Sequence, residues 1–548
     1  MMKKNWKWIV GILVCLGAAI GFYFLAIGMM DSVYAYRSPL SNNPPLPGEP
    51  VGEALSGRVV YVLIDALRMD TAYNAEIMPT LNELRQQGAW AEMNSREPSY
   101  SAAGYSVILT GAWPELSDGP VFNLDTEEIP VWTQDNLFSA AQRAGLQTAV
   151  SGYEWFGKLI PSEAVTAGFY TPGEDRVADR EVVDAALPWL VSGEYELVLI
   201  HLDQVDYAGH HEGGAADPNW AAAAARCDDL LAEIVAELDL SQDTLFISSD
   251  HGQVDAGGHG GNEKVAVTEP FVLVGAGIKP GEYGVVQMVD IAPTLAAILG
   301  LNIPASTQGQ VRTEMLQLTA EQATAIETAQ KQQQAALSTA YVMAIGAELP
   351  VEAEGNVVLD PQEKMELARQ EMVNAMRLPR LMIAGVLAVI PLAWLGWRWK
   401  KGTGWLLVGA VVFHLVFHLW YAVIAGKGYT FSYVIGPMEL VLDGMVKALV
   451  AFGLGWLVAL WGAHFFRHGG RKAAEFTFSL ALVTMVTLLM PVLWSFAWDG
   501  LFVGKFLPDF TRSYVALLSM VQGLAVGVAG LLYAGLAAGI AVLKGRRK

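Results

Sequence analysis

RVVYVLIDALRMD, residues 58–70, sets the fold class. From Val59 to Ile64 the residues are apolar, four of the six β-branched, and the run ends on Asp65. A short apolar run bounded by polar residues predicts a strand buried on both faces. ELVLIHLD (196–203), TLFISSD (244–250) and PFVLVG (270–275) repeat the design, each ending where polar residues begin. Alanine-rich, amphipathic stretches lie between them. The expectation is one large α/β domain: an open sheet with helices on both faces and a site along the carboxyl ends of its strands.

The remainder of the chain reads as membrane. Of 548 residues 53% are hydrophobic, too many for an ordinary soluble enzyme. MMKKNWKW precedes an apolar run from Ile9 to Met30, near the roughly 20 residues needed to span a bilayer. It is read as a retained signal anchor, with Val33-Tyr34-Ala35 as an alternative cleavage site. Lys3, Lys4 and Lys7 hold the N-terminus in the cytoplasm and place the residues after Met30 outside. Five more apolar runs come later, at 381–397, 404–425, 446–466, 476–497 and 513–543. The basic groups at Arg398/Lys400/Lys401, Arg467/Arg471/Lys472 and Lys544 to Lys548 then all fall inside, which predicts six spans in the plasma membrane with both termini cytoplasmic. Segment 434–446, with Glu439 and Asp443, reads as re-entrant or interfacial. The expected division is an anchor (1–30), a Pro-rich linker (31–57), the α/β domain (58–311), a helical connector (312–379) and a multi-span bundle of about five helices (380–548).

Net charge is −20, with the acids crowded into residues 45–375, which argues against a nucleic-acid partner. The only cysteines are Cys15 and Cys227, too few for a disulfide framework or a cysteine metal cluster. Any metal site must therefore use Asp, Glu and His. Candidates are Asp65, then Asp203, Asp206, His210 and His211 in HLDQVDYAGHHEGG, Asp250 and His251 in SSDHG, and His259 in DAGGHGG. These oxygen and nitrogen donors suit zinc or a similar divalent ion, in numbers sufficient for two. Singly, each has an ordinary structural reading: an Asp at a strand end caps a helix, and a His among glycines is solvated. Together they are harder to dismiss, because all the histidines between residues 45 and 375 sit in or beside these segments. EPSYSAAGYSVILTG (97–111) adds three hydroxyls, Ser99, Tyr100 and Ser101. Its local sequence leaves open whether one is a nucleophile or the loop simply caps a helix.

Taken in order, IDALRMD with MPTLNELRQQGAWAEM after it, DQVDYAGHHEGG, SSDHGQ, GGHGG and VVQMVDIAPTLAAILGLNIP resemble the alkaline phosphatase superfamily. The likeness is to its nucleotide pyrophosphatase/phosphodiesterase and GPI ethanolamine-phosphate transferase branch, and it covers nearly half the chain. An anchor, an outside domain and several later spans also resemble the GPI transferases. The resemblance implies that Asp65, Asp250 and His251, with Ser101, hold one divalent ion and that Asp206, His210 and His259 hold a second. It makes Ser101, nine positions before the threonine of Thr110-Gly111, the nucleophile of a phosphoserine intermediate. Ser99 and Tyr100 fall out of that register. Asn123 matches the phosphodiesterases' phosphoryl-binding asparagine if one inserted residue is allowed. Asp203 and His211 do not match the ligand spacing and are read as supporting residues, and His201 as a strand-end residue. Ser101 to Tyr105 lacks the x-Pro-x-Arg of a formylglycine sulfatase.

The resemblance thus implies a membrane-bound, metal-dependent phosphodiesterase or phosphotransferase acting outside the cytoplasm on a phosphate ester, lipid-linked or of phosphoethanolamine type. The alternative is a catalytically silent scaffold that binds a lipid or partner. In the spans, His414 and His418 share a helix face at i, i+4.

Overall fold

The computed structural model describes residues 6–348, 360–397, 403–434, 436–463 and 470–545. The four apolar runs are strands, and four further strands complete one eight-stranded sheet. In chain order these are β1 (Arg58–Ile64), β2 (Ala89–Asn94), β3 (Thr148–Tyr153), β4 (Ala167–Thr171), β5 (Leu197–Leu202), β6 (Asp243–Ser248), β7 (Thr268–Gly275) and β8 (Gly281–Gln287). Their order across the sheet is β4-β3-β5-β1-β6-β7-β2-β8. β4, β3, β5, β1 and β6 are mutually parallel, whereas β7 runs antiparallel to both β6 and β2. PFVLVG therefore ends at the opposite edge from the other three runs. Its Gly275 pairs with Thr244 at the start of β6. For that run the sequence expectation of a shared carboxyl edge is corrected.

Register decides what the edge carries. Ile64 of β1 pairs with Leu202 of β5, and Leu63 pairs with Ser248 of β6. Asp65, Asp203 and Asp250, each just beyond its strand, emerge side by side. The sheet holds them there because both faces are covered. Tyr61 and Leu63 pack with helices Ser101–Thr110, Leu137–Arg143 and Ile291–Ile298, while Val60, Val62 and Ile64 pack with Pro79–Gln87, Arg176–Ser192 and Pro218–Ala236. Every residue of β1 is buried. Helix Ser101–Thr110 is buried on all sides, which fits a core helix rather than an amphipathic surface one.

Two compact units divide the chain: Tyr34–Met372, and Met1–Val33 together with Val373–Lys548. Within the first, Ile326 of helix Ala320–Ile345 joins the core, so residues 312–372 group with the α/β body. Among the described residues, six helices are long and apolar enough to cross a membrane: Trp8–Tyr34, Pro361–Ala393, Thr403–Ile424, Met438–Gly462, Lys472–Trp498 and Phe510–Gly539. The chain is a multi-pass membrane protein with an N-terminal apolar helix and several later ones. Pro437–Gly462 is one continuous helix, so most of 434–446 is the first part of a span and not a separate re-entrant piece. Pro437 sits at its first turn, where no backbone N–H is needed. His414 Nε2 lies 2.8 Å from Thr487 Oγ1 and His418 Nδ1 lies 2.8 Å from Tyr429, so both imidazoles bond to polar neighbours. Several of the basic positions used for orientation, among them Arg398, Lys400, Lys401, Arg467 and Lys548, lie outside the described residues.

Candidate metal centre and active site

Two Asp/His sets meet at the carboxyl edge. In the first, His251 Nε2 lies 3.4 Å from Asp65 Oδ1, 3.4 Å from Asp250 Oδ2 and 3.1 Å from Ser101 Oγ. In the second, Asp206 is 3.5 Å from His210 Nε2 and 3.7 Å from His259 Nε2, and the two imidazole nitrogens are 2.9 Å apart. Donor atoms of Asp65, Asp206 and His251 also lie within 4.8 Å of one another, so the sets adjoin. The His251 and His259 rings stack at 4.0 Å. Asp206 and His210, one turn apart on helix Gln204–His211, reach the same point from one helix face.

Local backbone explains the placement. Ala66, directly after Asp65, turns into the left-handed region at φ 59°, and its N–H donates to Asp250 Oδ1 at 3.2 Å. Such a conformation costs a non-glycine residue about 1–2 kcal/mol. Gly104 lets helix Ser101–Thr110 press on Asp250: a Cβ there would sit 2.8 Å from that residue's Cβ and carbonyl oxygen. Gly260, at φ 109°, brings the GGHGG loop against the Tyr100 ring.

The three hydroxyls of EPSYSAAGYSVILTG separate by geometry. Ser99 Oγ accepts from Gly260 N and donates to Gly261 O, both at 2.9 Å, and its carbonyl accepts from His259 Nδ1 at 2.9 Å. Ser99 thus holds the loop that carries His259. Tyr100 packs its ring edge-on to His259 and Phe122. Ser101 opens the helix, but Tyr100 occupies the cap position, and neither Tyr100 nor Ser101 makes a side-chain capping bond. Ser101 Oγ meets His251 instead, and the plain capping reading fails.

Donor chemistry fits a bound cation. Asp65 Oδ1 and Asp250 Oδ2 are buried without a hydrogen-bond partner among the described residues, an arrangement that costs several kcal/mol for an uncompensated charge. His251 Nδ1 faces Gly252 O at 3.1 Å and His259 Nδ1 faces Ser99 O. A carbonyl only accepts, so Nδ1 carries the proton and each Nε2 presents a lone pair to the site. Burial, then neighbouring carboxylate charge, pushes Asp65 and Asp250 well above the usual carboxylate range. Burial also lowers His259 to about 4 and His251 well below its ordinary value. At Asp206 burial is outweighed by His210, His259 and His251, which leave its carboxyl below the ordinary value.

Asn123, half-buried, accepts from Ala102 N at 3.1 Å through Oδ1. Its amide NH₂ is left to donate at the helix start. His211 is exposed against Tyr207. Sequence reasoning missed Tyr105, whose hydroxyl donates to Asp65 Oδ2 and lies 2.9 Å from His201 Nε2; His201 Nε2 is itself 3.1 Å from Asp65 Oδ2. His201 is therefore a partner of a site carboxylate rather than a bystander at a strand end. Its signal was a polar residue inside the buried run ELVLIHLD. Gln253 bonds Asp206 through its amide nitrogen.

An α/β body with two adjoining Asp/His sets and a serine at a helix start defines a protein with a candidate divalent-metal site at its sheet edge. A family model described as type I phosphodiesterase / nucleotide pyrophosphatase matches residues 59–341, just over half of the 548 residues, and the chain belongs to this family. The catalytic subunit of human GPI ethanolamine phosphate transferase 2 is 28% identical over 277 residues, which cover 47% of this chain and 28% of that protein. For human GPI ethanolamine phosphate transferase 3 the figures are 28% over 288 residues, 47% and 26%. The match takes in little more than a quarter of either relative. The structure of human ectonucleotide pyrophosphatase / phosphodiesterase 5 aligns with 44% of this chain and 95% of that one, at 16% identity and a TM-score of 0.37.

Proposed function

We propose that the chain transfers or hydrolyses a phosphoethanolamine-type phosphodiester outside the cytoplasm, through a phosphoryl group carried on Ser101. The observation that carries the reading is Ser101 Oγ at 3.1 Å from His251 Nε2, at the start of a buried helix and away from any capping bond. Two divalent ions, zinc by chemistry, held by Asp65, Asp250 and His251 with Ser101 and by Asp206, His210 and His259, would supply charge stabilisation and a lowered hydroxyl pKa when bound.

The chain's own residues account for the rest. The free N–H groups and positive dipole end of helix Ser101–Thr110 favour an anionic phosphoryl group beside Ser101. Asn123, with its oxygen committed to Ala102, offers an uncharged donor, which suits the single negative charge of a diester better than the two of a monoester. Ser101 Oγ forms a bond to phosphorus as the bond to the leaving alcohol breaks. The oxygen of an acceptor then bonds phosphorus, and Ser101 Oγ leaves with its electron pair and regains a proton. The acceptor is water or a hydroxyl of a lipid-linked molecule; the several spans favour the lipid, since one anchor suffices for tethering. The lysines near the N-terminus favour an orientation with the α/β unit outside a plasma membrane and both termini inside.

Purified protein incubated with bis-p-nitrophenyl phosphate and with p-nitrophenyl phosphate tests the reading. Metal-dependent turnover that prefers the diester and is lost in Ser101→Ala supports it. Turnover of neither ester, or turnover that survives Ser101→Ala, contradicts it.

A further inference from the structure

Beside the two Asp/His sets, the same sheet edge carries acidic and aromatic groups that the proposed chemistry leaves unused. β4, β3 and β5 are consecutive neighbours ending next to β1. Tyr153 is the last residue of β3 and pairs with Thr171, the last of β4. Glu174 follows β4, and Asp203 follows β5. Glu174, Tyr153 and Asp203 therefore line up along the edge toward Asp65.

Asp203 is the informative member. It is 6% exposed and stands at the cap position of helix Gln204–His211, yet its side chain makes no capping bond. Its backbone is fixed instead: Asp179 Oδ1 accepts from Asp203 N at 2.7 Å, and Asp179 Oδ2 takes the Gln204 side-chain amide at 2.8 Å. The Asp203 carboxylate itself has no hydrogen-bond or ion-pair partner among the described residues, while one of its oxygens lies within 4.8 Å of Asp65 and His201 donor atoms. A buried carboxylate held in position and left unpaired stays ionised only with a cation beside it. Glu174 lies near enough to add its negative charge to both Asp203 and Tyr153. Trp155 stands edge-on to Tyr153 at 5.1 Å, and its buried Nε1–H has no partner among the described residues.

Carboxylates beside aromatic rings recognise organic cations, through charge-assisted hydrogen bonds and attraction to the ring faces. We infer that Asp203, Glu174, Tyr153 and Trp155 form a subsite for the primary ammonium of the group being transferred. The inference rests on the phosphoethanolamine reading and extends it to a specificity element. An ethanolamine arm carries its nitrogen roughly 5 Å from phosphorus, a reach that suits a carboxylate adjoining Asp65.

The test compares p-nitrophenyl phosphoethanolamine with p-nitrophenyl propyl phosphate, in which a methyl replaces the ammonium, on the full-length metal-loaded protein. The ratio of kcat/KM for the two is indifferent to a general loss of active protein. A wild-type ratio of about tenfold or more for the ammonium ester, falling toward one in both Asp203→Asn and Glu174→Gln, is the expected result. A wild-type ratio near one, or a ratio that neither variant changes, overturns the subsite. Calorimetric titration with phosphoethanolamine and with propyl phosphate gives a second readout that needs no turnover. Tighter binding of phosphoethanolamine that Asp203→Asn abolishes supports the subsite even if neither ester is cleaved, an outcome that would sink the catalytic reading alone. Equal binding of the two overturns the subsite, including the case in which an inorganic cation fills it.

Discussion

Ser101 Oγ and His251 Nε2 lie 3.1 Å apart although 150 residues separate them in the chain. The contact joins a helix start to the end of β6, and everything else at the site is arranged around it. Replacing Ser101 with Ala removes the proposed nucleophile but leaves both Asp/His sets. Diesterase turnover should fall by about 10³-fold or more, with the ion at Asp206, His210 and His259 retained, as measured by emission spectroscopy. Loss of both ions along with activity would point to a structural role.

Tyr105 bonds Asp65 across 40 residues, and His201 shares the same carboxylate oxygen. Partners of this kind fix ligand orientation, and losing one typically weakens metal affinity 10- to 100-fold. Tyr105→Phe should raise the zinc dissociation constant by that factor in chelator competition while the unfolding midpoint of the metal-loaded protein moves little.

Gly104 is where helix and site touch. Gly→Ala inside a helix ordinarily gains about 1 kcal/mol. Here the new Cβ meets a backbone oxygen at 2.8 Å, and overpacking of that order costs about 1–3 kcal/mol. Gly104→Ala should therefore lower the melting midpoint and activity together; an unchanged or raised midpoint would show that the contact gives way easily.

Stability should also respond to pH through Asp179. Burial holds its carboxyl at about 6 against an ordinary 3.8, equivalent to about 3 kcal/mol. Because the folded value is the higher one, the stabilisation is complete below about pH 4 and is lost as pH rises through about 6. The melting midpoint of Asp179→Asn minus that of wild type should thus increase from pH 4 to pH 7. A difference independent of pH would contradict the assignment.

Four strands and the grouping of Asp and His residues were legible because all but His259, which sits in a glycine-rich loop, arrive on short motifs at or just after an apolar run. β2, β4 and β8 were not, since their residues alternate between buried and exposed or are half exposed, and alternation over five to seven residues is a weak signal. Direction is a property of pairing, so nothing local in PFVLVG could show that β7 is reversed. His201 was readable in principle: it sits two residues beyond Leu199 on the face that carries Tyr61 and Leu63. Tyr105 was not, because its bond to Asp65 exists only once the helix packs on the sheet.

The proposed chemistry stands or falls on a phosphoryl group carried by Ser101. Peptide mass spectrometry of the segment holding Ser99, Tyr100 and Ser101, after brief incubation with phosphatidylethanolamine and an acid quench, looks for that group itself. A phosphoethanolamine adduct located on Ser101, absent from Ser101→Ala, is the expected outcome; an unmodified segment under turnover conditions, or an adduct on Ser99 or Tyr100, would refute it.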